Sequence, residues 1–266
     1  MSVSLTWVDA FTDTRYAGNP AGVCLLDEPL PAETMQSLAA ELGIAETAFV
    51  VPSSEPGTFG LRWFSPLVEI DLCGHATLAS AHALRAHHVI DGTTPVTFET
   101  RSGALRASFA GDLIELDFPA DIVTEAPLPS ALEGEWDAGM VVAAGGTSFF
   151  DVVVLRSEAA VRDYRPDFAA IAATGSKALL LTAAADPGSG ADYVLRVFGP
   201  NVGIDEDPAT GSAQCVAGPY WSDVLGRREM VARQLSPRGA VLHVRPDGDR
   251  VHIGGNAVTV FTGHLC

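Results

Sequence analysis

Two stretches of this chain are too apolar to lie on a surface. GHATLASAHALRAHHV, beginning at Gly74, and TGSAQCVAGPYWSDVL, beginning near Ala209, are rich in alanine and other small residues and carry no charge in their first turns. A helix that is apolar or small on every side has no face to offer water, so each must be enclosed by other structure. Short β-rich runs supply the enclosure: SLTWVDAF (4–11), AGVCLL (21–26), TAFVVP (47–52), FGLRWFSP (59–66), PVTFETR (95–101) and LIELDFP (113–119), all bounded by Gly, Pro or Asp. A second set follows the midpoint, from MVVAAG (140–145) and SFFDVVVL (148–155) through ALLLTAA (178–184), ADYVLRVFG (191–199), AVLHVRP (240–246) and RVHIGG (250–255) to AVTVFTGHL (257–265). Between the sets, DIVTEAPLPSALEGEWDAG (121–139) has little strand character and reads as a linker; PGSG at 187–190 reads as a loop. The segments leading into the two helices, EIDLCGHAT (69–77) and GIDEDPATGS (203–212), are loosely alike and about half a chain apart. A twofold repeat of a β-rich unit around a central helix is the economical arrangement, an α+β fold with one domain over 1–121 and the other over 122–266.

Composition narrows the function. With 266 residues, 47% of them apolar, the chain can bury a large core, as one large or two modest domains. No apolar run approaches the ~20 residues needed to span a bilayer. The start, MSVSLTWVDAFTDTRYAGNP, lacks a basic segment followed by an apolar stretch, so a cytoplasmic location is expected. A net charge of −17, from 33 acidic and 16 basic residues, would repel a polyanion, so neither nucleic acid nor an anionic membrane is an expected partner. Cys24, Cys73, Cys215 and Cys266 show no metal or redox spacing and read as reduced thiols. His82, His87 and His88 share a helical stretch without an acidic or cysteine partner at ligand spacing, so no metal is expected. No dinucleotide fingerprint, phosphate loop or Gly-x-Ser-x-Gly elbow occurs.

Three segments carry more polar and glycine residues than packing requires: GNPAGV (18–23) with ELGIAETAFV (41–50), RWFSPLVEIDLCGHATLA (62–79), and FGPNVGIDEDPATGSA (198–213). Where a strand turns into a helix, unpaired N–H groups and the positive dipole end point outward. Two such turns facing each other would suit a carboxylate or a developing enolate. Glu46 sits in an apolar context before a strand; a carboxylate partly withdrawn from water is poised for proton transfer, while a surface glutamate is the plain alternative. His75, in the first turn of its helix, is a candidate donor or relay, or a buried or capping histidine. Asp207, before Pro208 at the second helix start, is a candidate catalytic hydrogen-bonding or relay group, with a helix cap as the plain alternative. Gly211 and Ser212 follow, small enough to let a ligand approach the backbone. A thiol at a helix start is activated, which makes Cys73 a candidate nucleophile or base against the plainer reading of a buried cysteine.

The strings DAFTDTRYAGNPAGV, AETAFV, RWFSPLVEIDLCGHATLA and EDPATGSA, in this order, closely resemble the phenazine-biosynthesis-protein-like (PhzF-like) family, and GGNAVTVFTGHL resembles its closing strand pair. The likeness spans nearly the whole chain. It implies the diaminopimelate-epimerase-like fold, two similar domains that are each a β-barrel-like sheet around a central helix. The site is then expected between them, and the last strand can pack back on the first domain. It implies a cofactor-independent, metal-free isomerase of secondary metabolism, often a homodimer, acting on a small carboxylate. In the phenazine-pathway member the substrate is trans-2,3-dihydro-3-hydroxyanthranilate. Residue by residue, Glu46 corresponds to the family's general acid/base. His75 and Gly74 line its substrate cleft beside Cys73, and Asp207, Thr210, Gly211 and Ser212 form a second wall. The related epimerases use two cysteines, one from each half. Cys73 stands where the first falls, but Pro208 stands where the second is expected, so Glu46 is the better base. FGP at 198–200 departs from the family's usual Phe-Ala-Pro. An amino-acid epimerase on the same fold, or a silent small-ligand-binding protein, is the alternative.

Overall fold

The structure, a computed structural model, describes residues 3–265. It divides into two compact units: the chain up to Phe118 together with the return from Ile253, and Pro119–His252. In chain order the first unit runs β1 (Val3–Ala10), β2 (Asn19–Leu25), α1 (Ala32–Leu42), β3 (Glu46–Pro52), β4 (Thr58–Phe64), β5 (Glu69–Ile70), α2 (Gly74–Ala86), β6 (Val96–Thr100), β7 (Gly103–Ala110) and β8 (Leu113–Pro119). The second runs β9 (Thr124–Glu125), a 3-10 turn at Ser130–Leu132, β10 (Val141–Gly146), β11 (Phe150–Leu155), α3 (Glu158–Asp163), α4 (Phe168–Ala173), β12 (Ala178–Ala184) and β13 (Tyr193–Gly199). It continues through a 3-10 turn at Pro200–Val202, β14 (Ile204–Asp207), α5 (Gly211–Leu225), β15 (Met230–Gln234), β16 (Ala240–Asp247) and β17 (Arg250–Gly255), after which β18 (Ala257–Leu265) returns to the first unit.

The two units are built to one plan. In the first, strands lie in the order β18–β1–β2–β3–β4–β6–β7, paired antiparallel, antiparallel, parallel, antiparallel, parallel and antiparallel. In the second, β9–β10–β11–β12–β13–β15–β16 repeats that series of pairings. Each unit adds a short strand immediately before its long helix, β5 beside β4 and β14 beside β13. The loosely alike segments EIDLCGHAT and GIDEDPATGS are these equivalent strand-to-helix turns.

Burial on both sides of the sheet explains the first unit's near-continuous apolar strands. One side packs α1 through Leu5, Cys24, Met35, Ala39, Phe49 and Phe64. The other side faces α2, whose residues from His75 through Ala81, with Ala83 and Leu84, are buried. Small side chains let this helix lie close to the strands. Its buried hydroxyls are satisfied locally, Thr77 donating to the Cys73 carbonyl (2.6 Å) and Ser80 to that of Ala76 (2.7 Å). Side chains alternate along a strand, so with Phe49 on the α1 side, Glu46 at the start of β3 points toward α2.

In α5 the interior Pro219 cannot donate to the carbonyl four residues back. That carbonyl, of Cys215, is taken instead by the Asp121 N–H at 3.0 Å. Segment 121–139, read from the sequence as linker, therefore supplies a bond the proline removes, and it also contains β9. Cys24, Cys73 and Cys215 are free thiols, and Cys266 lies outside the described residues. Among the described residues no helix is long and apolar enough to cross a membrane.

Candidate active site

A cluster of polar side chains lies buried in the first unit where three chain segments meet. Parallel pairing of β2 with β3 sets Ala21 opposite Glu46, and Asn19 opens the same strand two residues earlier. The loop before Asn19 is sharply bent, with left-handed backbone at Phe11, Tyr16 and Gly18. Only glycine fits position 18, since a Cβ there would lie 2.1 Å from the Ala10 carbonyl. Gly255 answers the strain at Phe11: a Cβ would fall 2.4 Å from the Phe11 ring, so the missing side chain lets that ring bury fully. The third segment is the entry to α2, Cys73–Gly74–His75, with Cys73 at the N-cap.

His75 is the centre of the cluster. Its Nε2 lies 3.1 Å from Glu46 Oε2, and Cys73 Sγ lies 3.5 Å from Nδ1 and 3.9 Å from Nε2. The Asn19 amide nitrogen is 3.2 Å from Nδ1, where it can donate to an unprotonated ring; a half-turn of the amide offers its oxygen to a protonated one. Glu46, Cys73 and His75 are 7–8% exposed and Asn19 is fully buried. Burial works against an imidazolium at His75, but Cys73 and Glu46, by charge and hydrogen bonding, outweigh it and hold His75 well above the usual histidine range. For Cys73, burial dominates and the Glu46 charge adds to it; the opposing pull of His75 is smaller, so the thiol is pushed up. This reverses the activation expected for a cysteine at a helix start: the dipole is present, but loss of solvent outweighs it. Cys215, inside α5, is pushed up to about 12 by burial, as befits core packing.

The second unit's equivalent turn gathers neutral amides, hydroxyls and carbonyls around a single aspartate. Asp207 closes β14 and Thr210 is the N-cap of α5, so Asp207 is not the cap; its carboxylate accepts a short hydrogen bond from the Thr210 hydroxyl. Gln234, buried at the end of β15, holds the turn from beneath: its Nε2 donates to the Asp207 carbonyl (2.6 Å) and the Thr210 hydroxyl (3.1 Å), and its Oε1 accepts from the Thr210 N–H (2.8 Å). Ser236 donates to the Pro208 carbonyl at 2.7 Å. Gln214, in the first turn of α5, accepts from the buried Tyr193 hydroxyl at 2.6 Å. Gly211 is buried and Ser212 exposed. The structure thus gathers Glu46, Cys73, Gly74 and His75 in one cluster and Asp207, Thr210, Gly211 and Ser212 in one turn. Asn19 and Gln234 are the residues that reading the sequence missed. Asn19 lies within the glycine-rich GNPAGV string; nothing around Gln234 marks it.

The fold is the epimerase-like α+β fold. It is shared with a crystal structure of a hydroxyproline epimerase from Agrobacterium vitis (TM-score 0.61, 14% identity, 99% of this chain and 92% of that one). The family profile described as "Phenazine biosynthesis-like protein" matches residues 8–263, and the chain belongs to that family. It is 43% identical over 265 residues to an uncharacterized isomerase of Pseudomonas aeruginosa, covering 100% of this chain and 99% of that protein. It superposes on a PhzF-family crystal structure from Enterococcus faecalis with a TM-score of 0.93 at 36% identity, covering both chains completely. Within the family it is an isomerase, as its curated relatives are named.

Proposed function

We propose that this isomerase moves a proton on a small, conjugated, carboxylate-bearing substrate, with Glu46 as the group that takes the proton from one carbon and returns it to another. The observation that carries this reading is the buried contact of Glu46 with His75 at 3.1 Å. A carboxylate on a strand start, held by an imidazolium that Asn19 orients, stays in one place and one rotamer between the two transfers. Conjugation spreads the charge left on the substrate, so a single carboxylate base is strong enough for both steps. The first N–H groups of α2, with the positive end of its dipole, can hold the substrate's own carboxylate. Asp207, Thr210, Gly211 and Ser212 have the make-up of a ligand-holding turn in their own right: acceptor, hydroxyl donors and a glycine beside a helix start.

A second reading is favoured by one distance. Cys73 Sγ stands within sulfur hydrogen-bond range of His75, at 3.5 Å, so the thiol could serve as a second acid or base and turn the reaction into an epimerisation. Proton exchange followed by NMR in deuterium oxide, with dihydroaromatic and cyclic amino acids as the panel, separates the two. The isomerase reading expects deuterium to enter a substrate carbon with the wild type and not with Glu46→Gln. Exchange that survives in Glu46→Gln and is lost in Cys73→Ala moves the base to the thiol.

A further inference from the structure

We infer that the Glu46–Cys73–His75 cluster is also a binding site for a zinc-class dication, and that such an ion, by engaging the acid/base carboxylate, turns the enzyme off. The binding itself rests on geometry; only the inhibition rests on Glu46 being the proton shuttle.

One ligand atom from each of the three residues lies within 4.8 Å of the other two. With Nε2 as the histidine donor, the separations are 3.1 Å to Glu46 Oε2 and 3.9 Å to Cys73 Sγ. Ligands around a tetrahedral zinc ion, at bonds of about 2.0–2.3 Å, stand roughly 3.3–3.6 Å apart, so small side-chain rotations close the set around an ion. The donors come from the start of β3 and from the N-cap and first turn of α2, so little ordering is left to be done on binding. The outer shell is in place as well: with Nε2 on the metal, Nδ1 carries the proton, and the Asn19 amide beside it can accept that proton's hydrogen bond.

The donor types select the ion. Thiolate and imidazole favour zinc, cobalt and their neighbours, whereas magnesium and calcium require oxygen ligands. Three protein ligands leave a fourth position for water, the arrangement of open zinc sites. The exchange is balanced in charge. The Cys73 S–H and the His75 Nε2–H each give up a proton to solvent as S–metal and N–metal bonds form, and the dication replaces two protons beside the Glu46 carboxylate. The cluster was invisible to a search for ligand spacing in the sequence because Glu46 reaches the Cys73–His75 pair only through the β2–β3 pairing and the packing of α2.

Cobalt(II) titrated anaerobically into the full chain tests the site. The expected result is a thiolate-to-cobalt charge-transfer band that saturates at one equivalent, persists in Cys215→Ser and is unaffected by excess magnesium or calcium. The band should vanish in Cys73→Ser, and Asn19→Ala should weaken cobalt binding by about 10- to 100-fold, as loss of an outer-shell partner does. Circular dichroism checks each fold; should Cys73→Ser not fold, Glu46→Gln, which keeps sulfur and imidazole, must still weaken binding. No band in the wild type, or an undiminished one in Cys73→Ser, overturns the site. Zinc should then abolish proton exchange at the occupancy the band reports, with a chelator restoring it; exchange unaffected at full occupancy overturns the inhibition. If Glu46→Gln retains exchange, the acid/base reading fails while the band still reports the metal site.

Discussion

The entries to α2 and α5 occupy equivalent points of a repeated plan, yet they are chemically opposite. The first gathers a carboxylate, an imidazole and a thiol within hydrogen-bond range, all withdrawn from water. The second gathers amides, hydroxyls and backbone carbonyls around one aspartate. The strand that opens with Glu46 in the first unit pairs parallel with its neighbour in the same way as β12, which opens with Ala178. One copy of the plan therefore holds groups that can gain and lose protons, while the other is braced to keep a fixed shape. A duplicated scaffold needs the ionisable equipment only once if a single carboxylate serves both proton transfers.

The sharpest way to break that contrast is Glu46→Gln. It should lower proton exchange by about 100- to 10,000-fold, the usual worth of a positioned acid/base group, and leave the circular dichroism spectrum unchanged. A loss smaller than tenfold would return the first unit's cluster to the status of a structural network. Gln234→Leu asks the converse in the second unit. It removes three hydrogen bonds and orphans the buried Thr210 N–H and the part-buried Asp207 carbonyl, which should cost about 2–4 kcal/mol in urea unfolding. Were Gln234→Leu to abolish exchange with stability intact, the second turn would have to be chemical as well.

How much of this could be read beforehand divides along the same line. The long helices were legible because a stretch such as ATLASAHAL has no solvent face, and the starts fell at Gly74 and within two residues of Gly211. Most strands were legible from their boundaries of Gly, Pro and Asp. Helix α1 was not, because its apolar positions are mixed with Glu33, Gln36 and Glu41 and only Met35 and Ala39 are buried, and α3 and α4 are six residues each, too short for a period to show. Glu46 and His75 could be named singly, but not their contact, which depends on strand register. Gln234 was beyond reach: a glutamine at a strand end announces nothing until the turn it supports is folded above it. The activated thiol expected at Cys73 failed for a physical reason, since the sequence shows the helix start and not the burial that overrides it.

pH sharpens the comparison further. Because His75 is held well above the usual range, the folded state binds its proton more tightly than the unfolded chain does. The stabilisation this confers is fully present below about pH 6.5 and fades as pH rises through the folded-state value. The stability gap between wild type and His75→Gln should therefore be widest near pH 6 and shrink by pH 9, measured by urea unfolding. The gap for Gln234→Leu should be the same at both pH values, because no titratable side chain is removed. A His75→Gln gap that grows with pH contradicts the ion pair with Glu46.

The smallest effect should come from Ser236→Ala, and its size is informative for that reason. The hydroxyl donates to the Pro208 carbonyl and accepts from the Gly239 N–H, so the variant loses two bonds at one edge of the second turn. Unlike the two bonds Gln234 makes to Thr210, which are buried, these lie part-buried, and water can replace the lost hydroxyl. About 0.5–1.5 kcal/mol is expected, independent of pH, with proton exchange within twofold of wild type. A loss as large as that of Gln234→Leu would mean that the turn responds as one cooperative unit, with Pro208 as much a fixed point as Thr210. A negligible loss would place the rigidity of the second unit's entry in the single glutamine beneath it.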